Sequence, residues 1–337
     1  MKINNRRYIG CKNKLIDFIS QTIAEFGYES NFSFADIFGG TGVVANYYAF
    51  KNCEIILNDN LYSNFIAYQA FFGNEEVSNL KIEETLMFLN NLNSSNLEDN
   101  YFSSIYSHKY FHLNDAKKIG YIRDWIEDHK TDFNFREYCY LITSLIYACD
   151  KIANTVGHFE SFLRKEPIEK GVELKKLDIT NFKIKHSLFN MDANDVISKF
   201  ETDVLYLDPP YNARQYVNFY HVLENLARWN KPTIFQGESM KFERNDLKSD
   251  FCRKKAPLLF EKIINEAKAK LIVVSYNNTY KAGSISSVNT ITEEELINIL
   301  SKKGKVTVKE KAYKAFSAGK TKLNNHKEYL YICEVNA

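Results

Sequence analysis

Apolar residues recur at helical spacing from Leu15 to Phe26, through Leu15, Ile16, Phe18, Ile19 and Ile23, and predict a helix behind a basic start. Phe32 to Phe38 is a short apolar run that reads as a strand, and it leads into Gly39-Gly40-Thr41-Gly42. Val43 to Phe50 then has a helical pattern, and Glu54 to Leu57 is the next predicted strand, ending at Asn58-Asp59. Strand, glycine loop, helix and strand in this order predict a βαβ unit and therefore a parallel sheet. Residues 90–100 are polar and turn-rich and read as a boundary loop. From there to about Lys170 the patterns are mainly helical, over Ala116 to Ile126 and Phe135 to Ala153. The α/β alternation resumes near Phe182, with strands at Val204–Leu207 and Leu271–Ser275. Thr292-Glu293-Glu294-Glu295 has the form of a capping box opening a helix through Leu300. Val306–Val308 and Tyr329–Glu334 read as two closing strands, and the pattern has no internal repeat. The expectation is an α/β sheet domain from residues 1–80 and 186–337, interrupted by a helical insertion over residues 81–185.

Composition narrows the class. A chain of 337 residues with 45% hydrophobic and 15% aromatic content can bury a sizeable core, as one large domain or a domain with an insertion. The formal net charge of +2 gives no global nucleic-acid signal, but the charge is segregated. Residues 1–14 carry Lys2, Arg6, Arg7, Lys12 and Lys14 with no acid, residues 54–100 carry eight acids against Lys81, and residues 301–337 carry nine lysines against three acids. Segregation of this kind suits one face meeting a polyanion, and it equally suits lysine-rich solvated helix faces. Six cysteines without CxxC spacing argue against zinc and against a disulfide framework, and read as small buried hydrophobes in a reducing compartment. No apolar run reaches the ~20 residues of a membrane span and the N-terminus lacks a secretory apolar region. The expectation is a soluble cytoplasmic protein with no membrane partner and no metal.

Two segments carry candidate chemistry. Asp208-Pro209-Pro210-Tyr211 follows the apolar run Val204 to Leu207 directly. An acid, two prolines and an aromatic at a strand end form a rigid corner, because proline removes an amide donor and fixes φ. Such a corner can hold a planar amino-bearing group: the Asp208 carboxylate and a freed carbonyl accept hydrogens while the Tyr211 ring stacks. On its own the tetrapeptide also reads as a proline turn ending a buried strand. The second segment, Asp36 to Gly42, sits where a strand turns into a helix, a place where glycines let a ligand approach backbone donors. Its spacing is neither the dinucleotide GxGxxG nor the phosphate-binding GxxxxGK[ST] pattern, which counts against NAD and ATP. A smaller ligand without a pyrophosphate fits better, with Asp36 receiving a cationic amino group. Asp59 lies 17 residues after Gly42 at the next strand end, where an acid receives ribose hydroxyls.

Taken together, these segments resemble the alpha group of amino-methylating DNA methyltransferases, the Dam-like adenine methylases, and especially the branch found as type II modification enzymes. Arg7-Tyr8-Ile9-Gly10-Cys11-Lys12-Asn13-Lys14-Leu15 resembles the family's leading S-adenosylmethionine motif, Asp36 to Gly42 its FxGxG motif and Asn58-Asp59 its acidic ribose motif. Asn190-Met191-Asp192-Ala193 resembles the motif that meets the cofactor's adenine, and Asp208–Tyr211 the catalytic DPPY. Asn212 to Tyr216, Phe219 to Glu224 and Ile272 to Asn278 match later motifs. One departure is Gly39-Gly40-Thr41, where the family usually has a small residue or serine.

The resemblance implies a Rossmann-like methyltransferase sheet with a helical target-recognition insertion. It implies Asp208, Pro209 and Tyr211 as catalytic residues. It implies Tyr8, Lys12, Asp36, Phe38, Gly39, Gly42, Asp59, Asp192 and Asp208 as binding residues for S-adenosylmethionine. The activity implied is methyl transfer to the N6 amine of an adenine flipped out of double-stranded DNA, as the modification half of a restriction-modification system. Candidate phosphate contacts are Arg214, Arg228, Lys231, Arg244 and Arg253-Lys254-Lys255. Any cognate restriction endonuclease is expected in a separate chain. Methyltransferases acting on cytosine N4, RNA bases or glutamine more often carry Ser or Asn at the place of Asp208. A catalytically silent DNA-binding subunit is opposed by the presence of Lys12, Asp59 and Asp208.

Overall fold

The computed structural model describes residues 1–279, 288–312 and 327–336. Of the lysines in the basic segment 301–337, Lys314, Lys320 and Lys322 lie outside the described residues. In chain order the strands are β1 (Ser33–Asp36), β2 (Glu54–Asn58), β3 (Ser187–Phe189), β4 (Thr202–Leu207), β5 (Phe235–Gln236), β6 (Lys241–Phe242), β7 (Ala269–Asn277), β8 (Gly304–Ala312) and β9 (Lys327–Val335). The chain divides into two compact units. One comprises Gly10–Asn60, Ile184–Tyr216 and Lys248–Ala337, and the other Met1–Ile9, Leu61–Lys183 and Val217–Leu247.

The first unit is built on a seven-stranded sheet in the order β3-β2-β1-β4-β7-β9-β8. Strands β3, β2, β1, β4 and β7 run parallel, and β9 inserts antiparallel between β7 and β8. The fold class is therefore α/β with a mostly parallel sheet, as the alternation along the sequence predicts. A sheet covered on both faces selects continuous apolar strands rather than alternating ones. Val204, Leu205, Tyr206 and Leu207 of β4 are accordingly all buried. Ala35, Leu205, Leu207, Ile272 and Val274 share a core with Phe260, Ile263 and Leu296 from the helices Ala256–Glu266 and Glu293–Ser301. Chain order departs in opposite directions from β1, to β2 on one side and to β4 on the other. The carboxyl ends of β1 and β4 thus flank a topological switch point, the place where open α/β sheets accept ligands.

The loops at this end are fastened by Asn58, whose side chain is buried. Its amide donates to the carbonyls of Ile37 (3.0 Å) and Met191 (3.1 Å), and its oxygen accepts the Met191 N–H at 3.0 Å. Asn190 adds a bond to the Asp59 carbonyl at 2.7 Å. Three loops, after β1, β2 and β3, are thereby held in one register.

The second unit is mainly helical, with helices Tyr62–Phe72, Asn79–Asn90, Leu113–Asp128 and Phe135–Ile152. It takes in residues 81–183 of the expected insertion together with residues 1–9, 61–80 and 217–247, while residues 184–185 belong to the sheet unit. Buried Glu224 accepts the N–H groups of Tyr62 and Ser63 at 2.9 Å each and pairs with Arg228 at 2.6 Å. An anion there satisfies two otherwise unpaired amides and complements the helix dipole. Among the described residues no helix is long and apolar enough to cross a membrane. All six cysteines are free thiols, and all but Cys11 are buried.

Replacing Asn58 by Ala strands the buried Ile37 carbonyl and two partly buried backbone groups of Met191, where a buried unsatisfied group costs about 1–3 kcal/mol. Urea unfolding of Asn58→Ala is expected to show a loss of at least about 2 kcal/mol. A loss below about 0.5 kcal/mol would mean that the loops are held by other contacts.

Candidate active site

The site is assembled at the carboxyl end of the parallel strands. Asp36 is the last residue of β1 and is buried, with its carboxylate accepting the Phe38 N–H at 3.2 Å. The chain then turns through Gly39 to Gly42. Gly39 donates to the Asn58 carbonyl at 3.0 Å, and Gly42 donates to the Gly39 carbonyl at 2.7 Å. Gly40 (φ 54°) and Gly42 (φ 77°) both occupy the left-handed region, which a side chain would strain. Gly42 then caps the helix Val43–Ala49. Asp59, just past β2, accepts the Gly40 N–H at 2.9 Å and so fixes the crest of the loop.

Asp208 follows β4 and meets Lys12 and Tyr211. The Lys12 ammonium lies 3.0 Å from Asp208 Oδ1 and donates to the Tyr211 hydroxyl at 2.6 Å, while that hydroxyl donates to Asp208 Oδ1 at 2.5 Å. The corner is braced from behind. The Tyr211 carbonyl accepts from the Thr290 N–H (2.8 Å) and the Tyr276 hydroxyl (3.2 Å), and the Tyr211 and Tyr276 rings lie 4.7 Å apart. Pro209 is buried between the acid and the aromatic. Glu328, on β9, brings another buried carboxylate to 3.9 Å from Lys12.

Acid exceeds base at this strand end, and the titration of the acids reflects it. Burial pushes the Asp36 pKa well above the usual carboxylate range, and the negative charges of Asp208 and Asp59 push it further. Burial also raises Asp208, with Lys12 and Tyr211 pulling it back. Glu328 is raised to about 7, mainly by burial. Among the described residues no cluster of His, Cys, Asp and Glu has the make-up of a metal site.

Residues 8–286 match the family model described as D12 class N6 adenine-specific DNA methyltransferase. The chain belongs to this family. Its relatives include the modification methylase StsI of Streptococcus sanguinis, 33% identical over 330 residues, or 93% of this chain and 49% of that protein. The type II methyltransferase M.FokI of Planomicrobium okeanokoites is 32% identical over 316 residues, 88% of this chain and 47% of that protein. The chain thus spans about half the length of these two relatives. The type II methyltransferase M.NlaIII of Neisseria lactamica is 32% identical over 348 residues, covering 97% of this chain and 98% of that protein.

Within this family member, Lys12, Asp36, Phe38, Gly39, Gly42, Asp59, Asp192, Asp208, Pro209 and Tyr211 all belong to the sheet unit. Phe38 packs edge-on against Phe251, with centroids 5.0 Å apart. Asp192 is exposed and caps the short helix Ala193–Val196 through the Asn194 N–H at 2.9 Å. Tyr8 belongs to the helical unit, where its ring stacks on Tyr220 at 4.7 Å.

The basic N-terminus is largely turned inward. Arg6 is buried and donates to Asn64 at 2.7 Å, Arg7 pairs with Asp150 at 3.4 Å, and Lys12 faces Asp208. Of the candidate phosphate contacts, Arg228 pairs with Glu224, Lys231 with Asp124, and Arg253 and Lys255 with Asp250. Arg244 bonds to Asn218 at 2.8 Å, while Arg214 and Lys254 are exposed. Glu328 was not legible in the sequence: it is one acid in a lysine-rich segment, and only the sheet order carries it to Lys12.

The raised acids have a consequence for stability. The folded chain holds these protons to higher pH than the unfolded chain does, so they make stability fall as pH rises from the ordinary carboxylate range through the raised values. Buried His221 acts in the opposite sense. Its pKa is lowered to about 4, so its contribution is lost as pH falls from 6.5 toward that value. Asp36→Asn is expected to lessen the fall in stability that begins as pH rises out of the ordinary carboxylate range and to leave the acid-side loss in place. Thermal unfolding across pH measures this, and parallel wild-type and variant curves would contradict it.

Proposed function

We propose that the chain transfers a methyl group from S-adenosylmethionine to the N6 amine of adenine in double-stranded DNA. It would act in the cytoplasm as the modification component of a restriction-modification system, with the cognate endonuclease in a separate chain. The observation that carries this reading is the Asp208–Tyr211 corner at the switch point, beside Asp36, Asp59 and Lys12. The names of the relatives, modification methylases and type II methyltransferases, support it.

The residues present fit S-adenosylmethionine. Three carboxylates, Asp36, Asp59 and Asp208, converge on a left-handed glycine turn, and the surplus acid suits a ligand that is cationic at both sulfur and amino group. Asp59 would hold the ribose hydroxyls and Asp36 the amino group. Phe38, Gly39 and Gly42 would line the ligand, Asp192 would meet its adenine, and Tyr8 and Lys12 come from the leading motif. When bound, the cofactor supplies an electrophilic methyl group on a sulfonium.

The target amine is a poor nucleophile because its lone pair is delocalised into the ring. Asp208 and the Pro209 carbonyl accept its two hydrogens, which lets the nitrogen move toward a tetrahedral shape with its lone pair directed outward. The protein's contribution is positioning and preorganised charge. As the new N–C bond forms, the methyl–sulfur bond would break with its electron pair left on sulfur as a neutral thioether, and the nitrogen must lose a proton that Asp208 is placed to take.

In the observed arrangement Asp208 Oδ1 is already engaged by Tyr211 and Lys12. Entry of the base therefore exchanges the Tyr211 hydroxyl for the amine and frees the Tyr211 ring to stack. Flipping costs a few kcal/mol, and stacking returns ~1–3 kcal/mol. Phosphate contacts, and residues of the helical unit that select the target sequence, supply the remainder.

Single-turnover transfer of a radiolabelled methyl group to adenine-containing duplex tests the assignment. Asp208→Ala is expected to abolish transfer. Tyr211→Phe should keep appreciable activity, and Tyr211→Ala should lose about the ~1–3 kcal/mol of stacking. Label appearing on cytosine, or wild-type transfer by Asp208→Ala, would overturn the reading. Asp59→Ala should weaken cofactor binding in a calorimetric titration with the fold intact. Binding to duplex should weaken steeply with salt, and a flat salt dependence would exclude DNA as substrate.

A further inference from the structure

Lys12 stands between two acids of different standing. Asp208 Oδ1 lies 3.0 Å from its ammonium and Glu328 Oε2 lies 3.9 Å away. Lys12 and Glu328 are each only 5% exposed, so solvent cannot serve either group in place of the other. Glu328 Oε2 accepts no hydrogen bond among the described residues, and a buried carboxylate oxygen in that condition is costly. Glu328 sits opposite Asn277 of β7 and beside Lys311 of β8, and it lies beyond the residues that match the family model.

Lys12 cannot serve both acids equally. While it and the Tyr211 hydroxyl occupy Asp208 Oδ1, that oxygen is not open to a target amine. An ionised Glu328 offers the ammonium a second anchor only an ångström farther off. We propose that Glu328 is a positioning residue for methyl transfer, drawing Lys12 away from Asp208 so that Asp208 can accept the substrate amine. This rests on the methyltransferase reading above.

The effect of Glu328 on Lys12 has a sign in pH. Burial holds Glu328 protonated up to about 7, with Asp208 adding to the effect and Lys12 and the Tyr211 hydroxyl opposing it. Below that pH Glu328 is neutral and Lys12 stays with Asp208. Above it Glu328 is charged and Asp208 is released, so activity rises through this window. Among the described residues, the other titratable or charged groups facing Glu328 are Lys12, Tyr206, Asp208 and Tyr211, with Lys311 alongside it on β8 and Asp36 beyond Asp208.

The test is the pH dependence of kcat/KM for adenine methylation by wild type, Glu328→Gln and Glu328→Asp, together with the Lys12 15Nζ resonance in the cofactor-free protein. Wild type is expected to rise with an apparent pKa near 7. Glu328→Gln should be flat across that window and about tenfold slower above it, a barrier change of about 1.4 kcal/mol. Glu328→Asp should recover a pH-dependent rise. The Lys12 resonance should titrate with the same pKa in wild type and not in Glu328→Gln. A Glu328→Gln enzyme with the wild-type profile, or a Lys12 resonance indifferent to Glu328, overturns the proposal. If wild type transfers no methyl group to adenine at any pH, the methyltransferase reading fails, and the Lys12 resonance still decides whether Glu328 governs Lys12.

Discussion

The Lys12 ammonium, buried against Asp208 and the Tyr211 hydroxyl, balances a strand end that holds more carboxylate than cation. Desolvating an ion pair is expensive, and Coulomb attraction repays it only where the remaining hydrogen bonds are met. Here they are met through one shared hydroxyl, which donates to Asp208 while accepting from Lys12. A chain selected for stability alone would place apolar residues at these positions. In the function proposed above, the arrangement serves as a holding state in which the partners of Asp208 are exchanged for substrate groups.

The sheet makes the holding state possible. Parallel strands deliver their carboxyl ends to one side, and the reversal at β1 sets the loops after β1 and β4 on either side of a switch point. Asn58 then joins three loops through one buried amide, so Asp59 and the glycine turn are fixed relative to Asp36. Proline rigidity at positions 209 and 210, together with the clamp of Thr290 and Tyr276 on the Tyr211 carbonyl, does the same for the corner after β4.

Local signals made much of this legible in the sequence. The apolar run before Asp208 and the glycine turn after the run from Phe32 mark strand ends, and strand ends in a parallel sheet converge. The capping box at Thr292 forms as its spacing predicts, with the Glu295 N–H bonded to the Thr292 side chain at 3.2 Å. The helix Tyr62–Phe72 was not legible, because it is apolar on nearly every side and leaves no periodic stripe to read. Nor was the inward direction of Arg6 and Lys12, since a run of bases without acids looks the same whether its partners are phosphates or buried residues distant in sequence. Glu328 escaped for the same reason: β9 reaches Lys12 by inserting antiparallel beside β7, a placement that no local pattern encodes.

Methyl transfer as proposed requires Asp208 to exchange the Tyr211 hydroxyl for the target amine. This is measured by the 13Cζ NMR resonance of Tyr211, assigned with Tyr211→Phe and followed as adenine-containing duplex DNA is added in the presence of a non-reactive S-adenosylmethionine analogue. The resonance is expected to shift on saturation as the hydroxyl leaves Asp208 and the ring takes up the base. A resonance that stays in place with the duplex fully bound would show that Asp208 keeps its tyrosine, and the exchange described here would not occur.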